Sequence, residues 1–250
     1  MADIQTLAFS LDTPESAFQP VCGGRRFKRA FSKADFPLLG DEDSKGTPKE
    51  HICLTGRSRQ LIPKNLSVSV QTVRSWYMDP KTGRWHWPVN GADEVYPGLF
   101  LGDESTAMCI HILKDLGIGA VLNTAQGNMT DWSYVNTKAS YYQNTGIQFL
   151  GIPAIDLKHY PINTHFKETC DFIESVLKKK GRVLVHCVQG ISRSATVVLA
   201  FLIMRKKLSL KEAIDVVRSK RFIGPNEGFT EQLIELNDQV HGGAKGSPKA

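Results

Sequence analysis

A thiol and a guanidinium stand close together in the stretch Val183-Leu-Val-His-Cys-Val-Gln-Gly-Ile-Ser-Arg-Ser194, with five residues between Cys187 and Arg193. The apolar run Val183, Leu184, Val185 predicts a buried strand ending at His186 and Cys187. Good helix formers and apolar residues from Ala195 to Met204 predict a helix. A cysteine therefore sits where a strand becomes a helix. The first N–H groups of a helix lack partners and carry partial positive charge. A loop leading into them can wrap its own N–H groups around an anion, phosphate above all. Gly190 lets that loop turn tightly, and Arg193 offers a planar fork for two phosphate oxygens. A thiol at the floor of such a positive cup is expected to have a pKa of roughly 3.5–7.5, and a thiolate aimed at phosphorus is a nucleophile. A lone cysteine is more often a buried structural residue. The spacing and the strand-to-helix setting favour the nucleophile here.

Breaking a phosphate ester this way needs a second group, because the leaving oxygen must receive a proton. Asp156 lies in a loop, Pro153 to Pro161, that follows a predicted strand. On its own it reads as an ordinary turn residue; beside the Cys187 loop it becomes the candidate acid. Asp171 and Glu174 fall on a predicted helix and are weaker candidates. Ser194 directly follows the arginine, and its hydroxyl can donate a hydrogen bond to the Cys187 sulfur as the thiolate leaves. His186 is read as a residue that orders the loop rather than as an acid or base.

The elements that must hold these residues are legible in order. Residues 1–64 carry the polar run Asp41 to Glu50 with scattered Pro and Gly, and are expected to be a disordered extension. The basic cluster Arg25-Arg26-Phe27-Lys28-Arg29 within it is read as a solvated charge run, with a nuclear-import or docking element as the alternative. Order is expected from Leu66, with Val70, Val73 and Trp76 or Tyr77 on one helical face and Asp79-Pro80 as the stop. The aromatic loop Trp85-His-Trp87 is expected to pack over the core. Two strand pieces around Pro97-Gly98 follow, then a helix from Ser105 to Leu116 ended by Gly117. Next come a strand Ala120–Asn123, a polar aromatic stretch, and a strand Phe149–Ile152. A helix carrying Phe166, Cys170, Ile173, Val176 and Leu177 leads to the Cys187 strand. Three helices complete the domain. The first is apolar on nearly every face and so is expected in the core; the second opens on the capping box Ser209 to Glu212; the third starts after Pro225-Asn226. This order predicts one α/β domain of about 150–170 residues, placed at residues 65–241, with 242–250 as a flexible tail.

Composition bounds the rest. The 250 residues are 41% apolar, with a net charge of +6 that favours anionic partners. No run of 18 apolar residues, basic-apolar leader or prenylation box is present, so no membrane association is expected. Five cysteines without framework spacing (Cys22, Cys53, Cys109, Cys170, Cys187) are expected to be reduced thiols of a cytoplasmic or nuclear protein. No Cys/His cluster has zinc spacing, and no nucleic-acid motif appears.

Residues from about 66 to 240 resemble an atypical dual-specificity protein phosphatase of the VHR type, within the cysteine-dependent protein tyrosine phosphatases. Glu94 to Asp103, Val121 to Ala125, Val135 to Tyr142, Leu150 to Asp156, Val185 to Thr196 and Arg221 to Phe229 carry the resemblance. It implies a single central mixed, mostly parallel sheet flanked by helices. It implies hydrolysis of phosphotyrosine and phosphoserine or phosphothreonine through a cysteinyl phosphate, without metal or organic cofactor. It puts Cys187 as nucleophile, Arg193 as phosphate clamp, Asp156 as general acid and Ser194 as aid to thiolate departure. His186, Val188, Gln189, Gly190, Ile191 and Ser192 then line the bound phosphate, and Arg221 meets a second phosphate or acidic group. Phosphorylated proteins, MAP kinases among them, are the implied partners. The loop departs from the family pattern at Val188, Gln189 and Ile191, which are neither charged nor aromatic; that argues against phosphoinositide or RNA 5′-triphosphate substrates. Two other readings compete: a non-catalytic phospho-binding module, which the presence of Cys187, Arg193 and Asp156 disfavours, and a phosphatase of lipid or glucan phosphates.

Overall fold

The computed structural model describes residues 67–127 and 133–242. The expected extension 1–64, its basic cluster and the tail beyond Gly242 lie outside these residues.

Five short strands form one sheet in the order β1 (Ala92–Tyr96), β2 (Leu99–Gly102), β5 (Val183–His186), β3 (Ala120–Asn123), β4 (Gln148–Gly151). Only β1 and β2 run antiparallel; β2, β5, β3 and β4 are parallel neighbours. The sheet is thus mixed and mostly parallel, as expected. β2, β3 and β5 are buried along their whole length, which is why they read as unbroken apolar runs rather than alternating ones. The pleat still divides their side chains. Leu99, Leu101, Leu122, Val183 and Val185 enter the main core, whereas Phe100, Val121 and Leu184 face a second, smaller one.

Helix α5 (Arg193–Lys206) runs through the main core, with every residue from Arg193 to Ile203 buried. It has no polar face because α4 (Phe166–Lys178), α6 (Leu210–Arg218), α7 (Glu227–His241) and the sheet surround it. α6 opens on the expected capping box between Ser209 and Glu212. α1 (Val70–Trp76) buries Val73 and, just after it, Tyr77, and packs on α6 and α7.

Three expectations are corrected. The helix of 105–116 is two helices, α2 (Glu104–Ala107) and α3 (Ile110–Asp115), parted at Cys109, whose backbone is extended. Asp103 caps the first, accepting from Thr106 N at 2.9 Å. The hydroxyls of Tyr141 and Tyr142 take the carbonyls of Met108 and Ala107, so the break leaves no orphan acceptor there. The aromatic loop is only half packed. Trp85 donates its indole N–H to Ile223 O at 2.9 Å, but Trp87 is 53% exposed. Finally, Cys170 and Cys187 are free thiols, whereas Cys109 is disulfide-bonded.

Candidate active site

The register β2–β5–β3 sets His186 between Gly102 and Asn123, at the C-terminal ends of three parallel strands. The chain then turns through residues 187–192 into α5. Sites in open α/β sheets form at such strand ends.

The loop is held from behind. Its carbonyls all have partners outside the cup. Cys187 O pairs with His186 Nδ1 at 3.1 Å, and Val188 O accepts from Glu104 N at 3.0 Å. Gln189 O and Gly190 O accept from Arg221 Nη2 and Nε at 3.1 and 3.0 Å. Ile191 O accepts from Gly224 N at 3.0 Å. A trans peptide sets each N–H opposite the preceding carbonyl. Carbonyls drawn outward therefore turn the N–H groups of residues 188–192 inward. Gly190 shows the result: its N–H donates to Cys187 Sγ at 3.2 Å. Gly190 also needs to be glycine, with φ +68°, and a Cβ there would stand 2.3 Å from Gly102 O.

Cys187 lies buried at the floor. Burial alone would push its thiol up. The Arg193 charge and hydrogen bonds from Ser194 outweigh that and bring the pKa below the ordinary thiol value. Ser194 Oγ donates to Sγ at 3.3 Å. His186 is fully buried, and that burial holds its pKa down at about 4, so it is neutral at physiological pH.

Arg193 opens α5. Its Nη1 donates to Ser133 O at 2.6 Å and Ala154 O at 3.2 Å, while its buried Nε has no hydrogen-bond partner. That Nε lies 3.6 Å from Asp156 Oδ2. Asp156 is one-third exposed at the mouth of the site. Its Oδ1 accepts from Ser192 Oγ and from Asn226 Nδ2, both at 2.8 Å. Ser192 is the N-cap residue of α5, yet its hydroxyl makes no cap bond; it turns to Asp156 instead.

The structure thus gathers Cys187, Gly190, Ser192, Arg193, Ser194 and Asp156 in one place, with His186 beneath. The side chains at the variable loop positions differ in exposure. Ile191 is buried beside Trp85 and Gly224, and Val188 is half-buried against Ala125, Val135 and Cys187, which leaves only Gln189 exposed. What these residues turn toward an anion is backbone. Arg221 departs furthest from expectation. It is buried, and its guanidinium is taken up by Gln189 O, Gly190 O, Asn90 O and Asp93, so it is not presented to a second substrate phosphate. Sequence reasoning missed Asn226 and Asp93. The N-cap position before α7 signalled Asn226; nothing local signalled Asp93.

Residues 99–239 match the family model for the dual specificity phosphatase, catalytic domain. Over 155 residues the chain is 42% identical to dual specificity protein phosphatase 26 of Bos taurus, covering 62% of this chain and 71% of that protein. Human DUSP28 superposes with a TM-score of 0.53 at 29% identity, over 62% of this chain and 99% of that one. A mouse putative dual specificity phosphatase, solved as a zinc tungstate complex, gives 0.52 at 29% identity, over 62% and 91%. A thiol at the floor of an N–H-lined cup and a match over most of the described fold lead to one conclusion. The chain belongs to the atypical dual-specificity phosphatases of the protein tyrosine phosphatase superfamily, and hydrolyses phosphotyrosine and phosphoserine or phosphothreonine through a cysteinyl phosphate.

Proposed function

We propose that Cys187 is the nucleophile, Arg193 the phosphate clamp, Asp156 the general acid and then base, and Ser194 the donor that assists thiolate departure. The observation that carries this is the convergence on Cys187 Sγ of the Gly190 N–H, the Ser194 hydroxyl and the Arg193 charge, with Asp156 held at the mouth. In the first step the thiolate forms a bond to phosphorus while the phosphorus–oxygen bond to the substrate breaks, and the leaving oxygen takes the Asp156 proton. The equatorial oxygens sit against the loop N–H groups and Arg193. In the second step water attacks phosphorus and gives its proton to Asp156. The phosphorus–sulfur bond breaks, and Ser194 Oγ donates to the departing sulfur.

The proposed substrates are phosphorylated proteins, MAP kinases among them, supported by the family and by the net charge of +6. The proposed setting is signalling in the cytoplasm or nucleus, supported by a thiol that works only when reduced. The test is hydrolysis of an aryl phosphate. Cys187→Ser is expected to lose at least about 1,000-fold in rate, and equal rates would sink the assignment. Asp156→Ala is expected to bind but barely turn over, retaining phosphoproteins in a pull-down. Faster release of phosphate from phosphoinositides than from a doubly phosphorylated peptide would overturn the substrate class.

A further inference from the structure

We propose that Arg221 is a positioning residue that sets the N–H groups of the phosphate-binding loop, rather than a contact for a second phosphate of the substrate. This rests on the reading of residues 187–193 as the phosphate cup. Arg221 follows α6, outside the loop in sequence, and its side chain is 1% exposed. Nε donates to Gly190 O at 3.0 Å and Nη2 to Gln189 O at 3.1 Å. Nη1 donates to Asn90 O and to Asp93 Oδ2, both at 2.8 Å. Every nitrogen of the guanidinium is thereby committed within the protein.

The two carbonyls it holds are consecutive, and they precede the N–H groups of Gly190 and Ile191. By peptide planarity, fixing them outward fixes those N–H groups inward. The Gly190 N–H is the one that meets Cys187 Sγ. One side chain thus orients a donor that steadies the thiolate and its neighbour in the cup. Asp93, half-buried beside it, fixes the fork from the opposite side. The planar shape matters: five donors in a rigid array can hold adjacent carbonyls and a carboxylate together, which a lysine ammonium cannot. Gly190 leaves the room, since a Cβ there would lie 2.8 Å from Arg221 Nη2.

The experiment compares the full chain with Arg221→Met and Asp93→Asn. It reads kcat/KM on a small aryl phosphate and on a doubly phosphorylated peptide, inhibition by tungstate, and the pH dependence of Cys187 alkylation. For Arg221→Met, kcat/KM is expected to fall about 100-fold, as misplaced catalytic groups do. The fall should be equal on the two substrates, with weaker tungstate inhibition and a Cys187 inflection moved to higher pH. Asp93→Asn keeps the arginine and removes only its charged partner, so the same changes are expected in the same direction and smaller; unchanged values there overturn the proposal even if Arg221→Met fails to fold. A loss confined to the doubly phosphorylated peptide overturns it in favour of substrate contact. Failure of the underlying reading is separate: the wild type itself would then be neither inhibited by tungstate nor active on the aryl phosphate.

Discussion

Two free thiols in one domain carry opposite chemistry, and the difference is in their neighbours. Cys170 lies on the inner face of α4, where burial pushes its thiol up to about 12 despite the nearby Arg205. Cys187 is as deeply buried, but Arg193 and Ser194 bring it down. Iodoacetamide at neutral pH is therefore expected to label Cys187 and leave Cys170 intact, followed by mass spectrometry of the two peptides. The Cys187 rate should rise through an inflection below about 8.5, the ordinary thiol value; an inflection at or above it would refute the lowered pKa. Peroxide should select the same residue, since oxidation follows thiolate character. This much was legible in the sequence, because cysteine, glycine and arginine lie within one short loop. Arg221 was not legible in the same way. Its family resemblance pointed to substrate, while its partners Asn90 and Asp93 come from a distant strand edge that no local spacing reveals.

Among the elements, those with one local cause were read well. The capping box of α6, the apolar faces of α5 and the buried strands β3 and β5 each follow from a contiguous pattern. The break between α2 and α3 was not legible, because the donors that take its free carbonyls are tyrosine hydroxyls more than thirty residues away, Tyr141 and Tyr142. The start of α7 shows a subtler coupling. Asn226 Oδ1 accepts from Phe229 N at 3.0 Å as the cap, while its Nδ2 donates to Asp156. Two residues on, a Cβ at Gly228 would stand 1.6 Å from Lys158 O, so the acid loop lies directly on this helix end. Asn226→Asp should keep the cap, since Asp caps as well as Asn, but it sets a second carboxylate against Asp156. With the amide donor gone and a like charge in its place, Asp156 is no longer held at the mouth, so kcat/KM on an aryl phosphate is expected to fall about tenfold. Stability should change by less than about 1 kcal/mol. An unchanged kcat/KM would show that the Asn226 contact does not position the acid.

On the scale of the whole molecule, the catalytic-domain match begins at Leu99, yet the described fold begins earlier. α1, the aromatic loop and β1 all precede that residue. They are built into the same core: Val73 and Tyr77 are buried in it, and Tyr77 Oη pairs with Thr230 Oγ1 at 3.2 Å. Ser67 N donates to Asp238 Oδ2 at 3.0 Å, and Arg218 Nη1 to Met78 O at 3.2 Å, so α1 is tied to both α6 and α7. Asn90 and Asp93, which fix Arg221, also come from this leading segment. The segment is therefore expected to unfold with the domain and not before it. Val73→Ala removes two buried methyl groups from outside the candidate site and should cost about 2 kcal/mol, through lost apolar burial together with the cavity left behind. For a domain of this size that lowers the midpoint of thermal unfolding by roughly 6 °C. The unfolding should stay a single transition seen alike by tryptophan fluorescence and far-ultraviolet circular dichroism, with aryl phosphate turnover at 25 °C unchanged. An early fluorescence transition from Trp76 and its neighbours, with the main transition where it was, would show instead that α1 is a separable appendage.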